Sequence, residues 1–230
     1  MAAVLMVFSS VAPRLIARRG TRQVLVLGLS VVAVALMSLA VFASADGGYW
    51  PLVPGLLLAG AGLGLSMTPS TTAITGALPE HEQGVASALN DTTRELGGAI
   101  GVALLGSLLN SGYRSGVADL EGTLPAQAYE PIRDGIGGAL AVAGAPGTAP
   151  QVAATIVSTA RDAFLDGWAV SMCVGVGMAV AALLFVIARG PADDAGRTHE
   201  RVARRARRRR GDGDHLTAGV AVAWRAVPSR

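Results

Sequence analysis

Lysine is absent from this 230-residue sequence, cysteine occurs once, histidine three times, and aromatic residues make up only 4%. Each shortage excludes a class of chemistry. Without lysine there is no phosphate-binding loop of the Walker type. The lone Cys173 sits in an apolar run and has no partner for an internal disulfide. His81, His199 and His215 are scattered through polar stretches, so no His/Cys metal cluster forms in the sequence, and no Gly-x-Ser-x-Gly elbow occurs either. Charge is also scarce. Charged residues make up 15% and hydrophobic residues 51%, against about 25% charged in an ordinary soluble domain. Mean hydropathy is +0.48. These shortages exclude a catalytic reading and a soluble one.

What charge there is avoids long windows. Residues 1–13, 23–45, 47–79, 96–113 and 167–188 contain no Asp, Glu, Lys or Arg. A helix crossing the hydrocarbon needs roughly 20 mostly apolar residues. Spans are therefore expected at 23–45, 52–78, 90–110 and 165–188, with 1–13 too short to cross. A lone segment in lipid must satisfy its own backbone groups, so each span is helical. The fold class is an all-α, multi-pass membrane protein. Its membrane domain covers 1–190, with an exterior segment at 111–163 and a basic tail at 191–230. Short surface helices are expected at 126–143 and 149–163, where apolar residues recur near helical spacing.

Arginine sets the orientation. Arg14, Arg18, Arg19 and Arg22 crowd one short loop, and most of the remaining arginines lie after residue 188. Cytoplasmic loops are the ones enriched in basic residues, so 14–22, 79–95 and the carboxy terminus are expected in the cytoplasm. The location is then the cell membrane, with lipid as a partner. The arginine-rich tail has no interleaved aromatics and no reading module, so nucleic acid is not expected as a partner. It suits anionic headgroups better.

Three features stand out within the spans. Gly60 and Gly64 form one GxxxG pair and Gly97 and Gly101 another, with Gly98 beside it; small residues allow close helix approach. The run TPSTTAIT at 68–75 places Thr68, Thr72 and Thr75 near helical spacing around Pro69, making a candidate cavity face. Their hydroxyls are equally suited to bonding back to their own helix. Third, ALNDTTRELGG at 88–98 opens a charge-free run. Asn90 or Asp91 is expected to cap it, with Arg94 one turn further in, where a cation needs a partner or must reach water.

The motif PRLIARRGTR, carrying Pro13, Arg18, Gly20 and Arg22, resembles the cytoplasmic loop signature of major facilitator transporters in its second-half copy. The stretch MTPSTTAITGALPEHEQGVASALNDTTRELGGAIGVALLG, residues 67–106, resembles the fourteen-helix drug:proton antiporter branch, through Pro79, Gly84, Ala86 to Ala88, Asn90, Arg94, Gly97 and Gly98. That branch usually has Gln where this chain has Glu95. The resemblance implies a partial major facilitator fold, supplying the end of the tenth helix and the eleventh to fourteenth. It implies export of small amphiphilic compounds by proton antiport in a longer parent that contributes the preceding helices, with no cofactor. No Asp, Glu or His lies well inside any expected span, so the proton carrier is expected among those other helices. The alternative is a non-transporting membrane remnant or a helical assembly partner.

Overall fold

A computed structural model describes residues 1–44, 47–76 and 78–190, with the backbone alone for 75, 76 and 80. The basic tail and the side chain of Thr75 therefore lie outside the described residues. Among the described residues there are seven α-helices: α1 (Ala2–Arg19), α2 (Thr21–Phe42), α3 (Val53–Gly76), α4 (Gln83–Gly116), α5 (Ala126–Asp134), α6 (Ile136–Ala143) and α7 (Pro150–Arg189). Among the described residues there is no sheet, only an isolated bridge between Glu121 and Leu124. Four helical segments among the described residues are long and apolar enough to cross a membrane: Thr21–Phe42, Trp50–Ile74, Gln83–Leu120 and Pro150–Arg189. This is an all-α arrangement of the partial bundle type.

Several helix bounds differ from the expected ones, for physical reasons. α1 does not stop at Pro13 but runs on to Arg19. Proline removes only its own N–H, and the solvent-exposed arginines carry the helix on as good helix formers. The corner to α2 is then one residue, Gly20, at φ 88°, a conformation that side chains other than glycine rarely adopt. The expected surface helix at 126–143 is two helices, broken at Gly135. The one at 149–163 is not separate but continuous with the last span in a helix of 40 residues. Asn90 and Asp91 do not cap α4, because that helix begins a full two turns earlier at Gln83.

The long helices form an open layer in the order α1, α3, α2, α7, α4, each packed chiefly on its neighbours in that series. Small residues set the contacts. A Cβ on Gly28 of α2 would strike Ser66 of α3, and one on Gly62 would strike Val32. Gly60 and Gly64 lie against α1, where a Cβ would come within 2.8 Å of the Met1 carbonyl and 2.7 Å of the Leu5 carbonyl. Gly97, Gly98 and Gly101 meet nothing within 4 Å. Polar ties hold both ends of α2 to α7. Arg22 donates to the Ile187 carbonyl, and Trp168 Nε1 donates to the Leu39 carbonyl at 3.0 Å.

α4 has 34 residues and α7 has 40, lengths of about 50 and 60 Å against a hydrocarbon core of about 30 Å. The excess forms a small separate core with α5 and α6. Tyr113, Val117, Ile132, Ile156 and Ala160 are fully or almost fully buried there, and the Tyr113 hydroxyl donates to the Ile132 carbonyl at 2.8 Å. Its entrance is a close glycine crossing. A Cβ on Gly112 would sit 2.7 Å from Gly167 Cα, and one on Gly167 would sit 2.5 Å from the Leu109 carbonyl. Ser171 Oγ reaches across to the Leu105 carbonyl at 2.9 Å. Gly167→Leu is therefore expected to destabilise the α4–α7 pair by about 1–3 kcal/mol. Gly97→Leu, placed in open space, is expected to leave the chain's stability unchanged. Unfolding in an SDS titration followed by circular dichroism distinguishes them, and equal midpoints would refute the assignment of the crossing.

Candidate functional site

The middle of α3 is built from hydroxyls around a proline. Pro69 has no N–H to offer the Leu65 carbonyl, which loosens the helix at that turn. The neighbouring hydroxyls turn back on their own backbone: Ser70 Oγ donates to the Ser66 carbonyl at 2.8 Å, Thr71 Oγ1 to Met67 at 3.1 Å, and Thr72 Oγ1 to Thr68 at 2.9 Å. On α4, Thr92 and Thr93 do the same toward the Ala88 and Leu89 carbonyls, at 2.8 and 2.6 Å. Such bonds occupy the hydroxyl protons, so toward any other group each oxygen can act only as an acceptor. The surface they present is acceptor-rich.

These two helices face each other across a cleft of about 250 Å³. Met67, Ser70, Thr71 and Ile74 line it from α3, and Asn90, Thr93 and Arg94 from α4. Both sets follow the i, i+3, i+4 spacing of one helix face. α3 and α4 otherwise touch little, so the cleft is a gap between adjacent elements. Ser66 borders it, but its buried hydroxyl has no hydrogen-bond partner and lies against Gly28 of α2 instead.

Arg94 supplies the cleft's charge. Its Nη2 lies 4.0 Å from Met67 Sδ, a weak contact. The ion pairs among the described residues are His81–Glu82 at 3.4 Å and Arg114–Asp134 at 3.8 Å; Asp91 and Glu95, beside Arg94 in sequence, do not pair with it. Asn90 is buried and donates from Nδ2 to Asp91 Oδ1 at 3.3 Å. The site thus combines one unneutralised cation, an amide and several hydroxyl acceptors on partly apolar walls. No group of three or more His, Cys, Asp or Glu able to hold a metal occurs among the described residues.

Of the residues singled out in the sequence, Asn90 and Arg94 line this cleft and Thr68, Pro69 and Thr72 do not. Pro69 is buried, Thr68 half-buried and Thr72 exposed. The cleft uses the face about one residue's rotation away, at 67, 70, 71 and 74. The loop motif is not brought into the cleft. Pro13 and Arg18 are exposed on α1, Gly20 is the buried corner, and Arg22 is half-buried at the start of α2. Sequence reading missed Ser70, Thr71 and Thr93, although their spacing from Met67 and Asn90 was the available signal. It also missed Gly112, Gly116 and Gly167, the first two of which form a GxxxG pair of their own.

The fold and cleft describe a multi-pass helical membrane protein. Residues 1–102 match the Major Facilitator Superfamily. Among curated proteins, the chain is 36% identical over 126 residues to the multidrug efflux pump LfrA of Mycolicibacterium smegmatis, covering 54% of this chain and 24% of that protein. It is 32% identical over 100 residues to the multidrug resistance protein B homolog of Mycobacterium tuberculosis, covering 43% and 18%. It is 37% identical over 75 residues to the puromycin resistance protein pur8 of Streptomyces alboniger, covering 33% and 15%. The aligned part spans a quarter or less of these three relatives. The likeness of residues 1–102 is thus to the Major Facilitator Superfamily, and the relatives are an efflux pump and resistance proteins.

Proposed function

We propose that this chain supplies carboxy-terminal helices of a longer cell-membrane exporter, of the fourteen-helix kind, that moves small amphiphilic compounds outward in exchange for protons. The observation that carries the reading is the α3–α4 cleft: a largely apolar gap with one cation, Arg94, and a few amide and hydroxyl groups in its lining, beside an α4 that is almost wholly exposed along its central turns. Exposed Leu96, Ile100, Val102 and Leu104 beside bare Gly97, Gly98 and Gly101 form a surface shaped for further helices. In this reading those helices close the cleft on its open side and carry the proton-binding group. The arginine-rich corner at 14–22, the 79–95 connection and the tail lie in the cytoplasm. Residues 111–163, with their own core, lie outside.

The test is a chimera in which this chain replaces the aligned segment of LfrA. Thr93→Trp, filling the cleft, is expected to reduce dye export at least tenfold. Gly137→Trp is expected to leave export unchanged, because it is exposed in open space on α6, outside the layer of long helices. Export that survives the first substitution while the protein remains in the membrane would remove the cleft from the transport path.

A further inference from the structure

An open, shallow groove of about 450 Å³ runs along α2 and is lined by Arg22, Gln23, Val26, Leu27 and Ser30. These residues recur at i, i+1, i+4, i+5 and i+8, one stripe of the helix. Gly28, which meets α3, lies roughly opposite this stripe, so the groove faces away from α3 except at Leu27, which borders the Ala12, Val24 and Leu65 cluster. It is graded along its length. Arg22 and Gln23 form its polar end, and Val26, Leu27 and Ser30 continue for about 12 Å into the apolar span. Ser30 Oγ bonds back to the Val26 carbonyl at 2.8 Å, so the inner part presents no free hydroxyl proton.

The polar end carries uncompensated charge. Arg22 donates to the Ile187 carbonyl, which fixes the guanidinium beside the end of α7 without neutralising it. A guanidinium has five N–H donors, and among the described residues no carboxylate pairs with this one. Exposed Arg18 and Arg19, in the last turn of α1, add to the positive field. An occupant must therefore be anionic at one end and apolar for about two helical turns beyond it.

We propose that this groove holds an anionic phospholipid, its phosphate at Arg22 and Gln23 and an acyl chain along Val26, Leu27 and Ser30. Arginine is suited to the role because its planar fork matches two phosphate oxygens at once. The bound headgroup joins α2 to the end of α7 through the same guanidinium, so the lipid reinforces the contact that holds the last span in the layer. The inference does not depend on the transport reading.

The test uses the full 230-residue chain in detergent, incubated with equimolar phosphatidylglycerol and phosphatidylcholine and examined by native mass spectrometry. The wild-type chain is expected to retain the anionic lipid over the zwitterionic one by about fivefold, the effect of one arginine near a headgroup. Arg22→Gln is expected to lower the ratio about fivefold relative to the wild-type chain, the tail arginines being the same in both. Val26→Trp keeps the charge and blocks the groove, and is expected to lose retention of both lipids. Arg22→Lys, which preserves charge, is expected to keep part of the preference and serves if the Gln variant does not fold. Parity in the wild-type chain would overturn the proposal, as would full selectivity in Arg22→Gln or unchanged retention in Val26→Trp. Displacement by inorganic phosphate at the lipid's own concentration would mark a free-anion site instead and would equally overturn it.

Discussion

Proteoliposomes containing only the 230-residue chain are expected to show no substrate flux under an imposed pH gradient, while the LfrA chimera transports under the same conditions. Alternating access of the major facilitator kind needs two helical bundles rocking about a central site. The described residues form one open layer of five long helices, with α4 attached at its edge through α7 alone to any extent. Proton coupling also needs a titrating group within the membrane. Asp91 and Glu95 are exposed on α4 within four turns of its start. Asp166 stands beside the Gly167 crossing, where α4 and α7 leave the apolar region. Pairing two copies does not repair this. Gly60 and Gly64 are already occupied by α1, and a pairing through Gly97 and Gly101 brings no carboxylate to the midplane. Uncoupler-sensitive flux from the isolated chain would contradict the expectation and require a proton path through one of these three acids.

The spans were legible because lipid imposes a simple condition on sequence, the exclusion of charge over about 20 residues. Helix continuity was not legible for the same reason. Arg161, Asp162 and Asp166 interrupt the apolar pattern, yet α7 runs through them unbroken, since a helix leaving the membrane has no further need to be apolar. In the cleft, Arg94 and Asn90 were visible as polar residues opening an apolar run. The α3 wall was harder to read. TPSTTAIT offers hydroxyls on every face of the helix, and only the packing of Pro69 into the bundle turns Ser70 and Thr71, rather than Thr68 and Thr72, toward α4. The Gly112–Gly167 contact was hidden because one GxxxG pair looks like another until a partner helix is placed. Glycine-rich sequence marks where close approach is permitted. It does not say which approach is made.

Arg94→Ala in the chimera is expected to cut export at least tenfold with little loss of membrane-inserted protein. In this chain the guanidinium is exposed and has no carboxylate among the described residues, an arrangement that water tolerates and a closed helical bundle does not. Once further helices cover α4, Arg94 must acquire an anionic partner or keep access to water. The first case gives a largely desolvated pair, and removing one member of such a pair costs about 3–5 kcal/mol. If the pair forms in only one of two conformations, that cost falls on one side of the equilibrium. Moving a two-state balance from 1:99 to 99:1 takes about 5.5 kcal/mol, so a loss of this size is enough to abolish cycling. Arg94→Lys keeps the charge but loses the bidentate fork and is expected to retain partial export. The competing role is a snorkelling anchor that positions the start of α4 at the interface. An anchor predicts the opposite pattern: less inserted protein for Arg94→Ala, with normal export per inserted molecule. Measuring export and surface amount on the same cells separates the two, and normal export by Arg94→Ala would leave only the anchor.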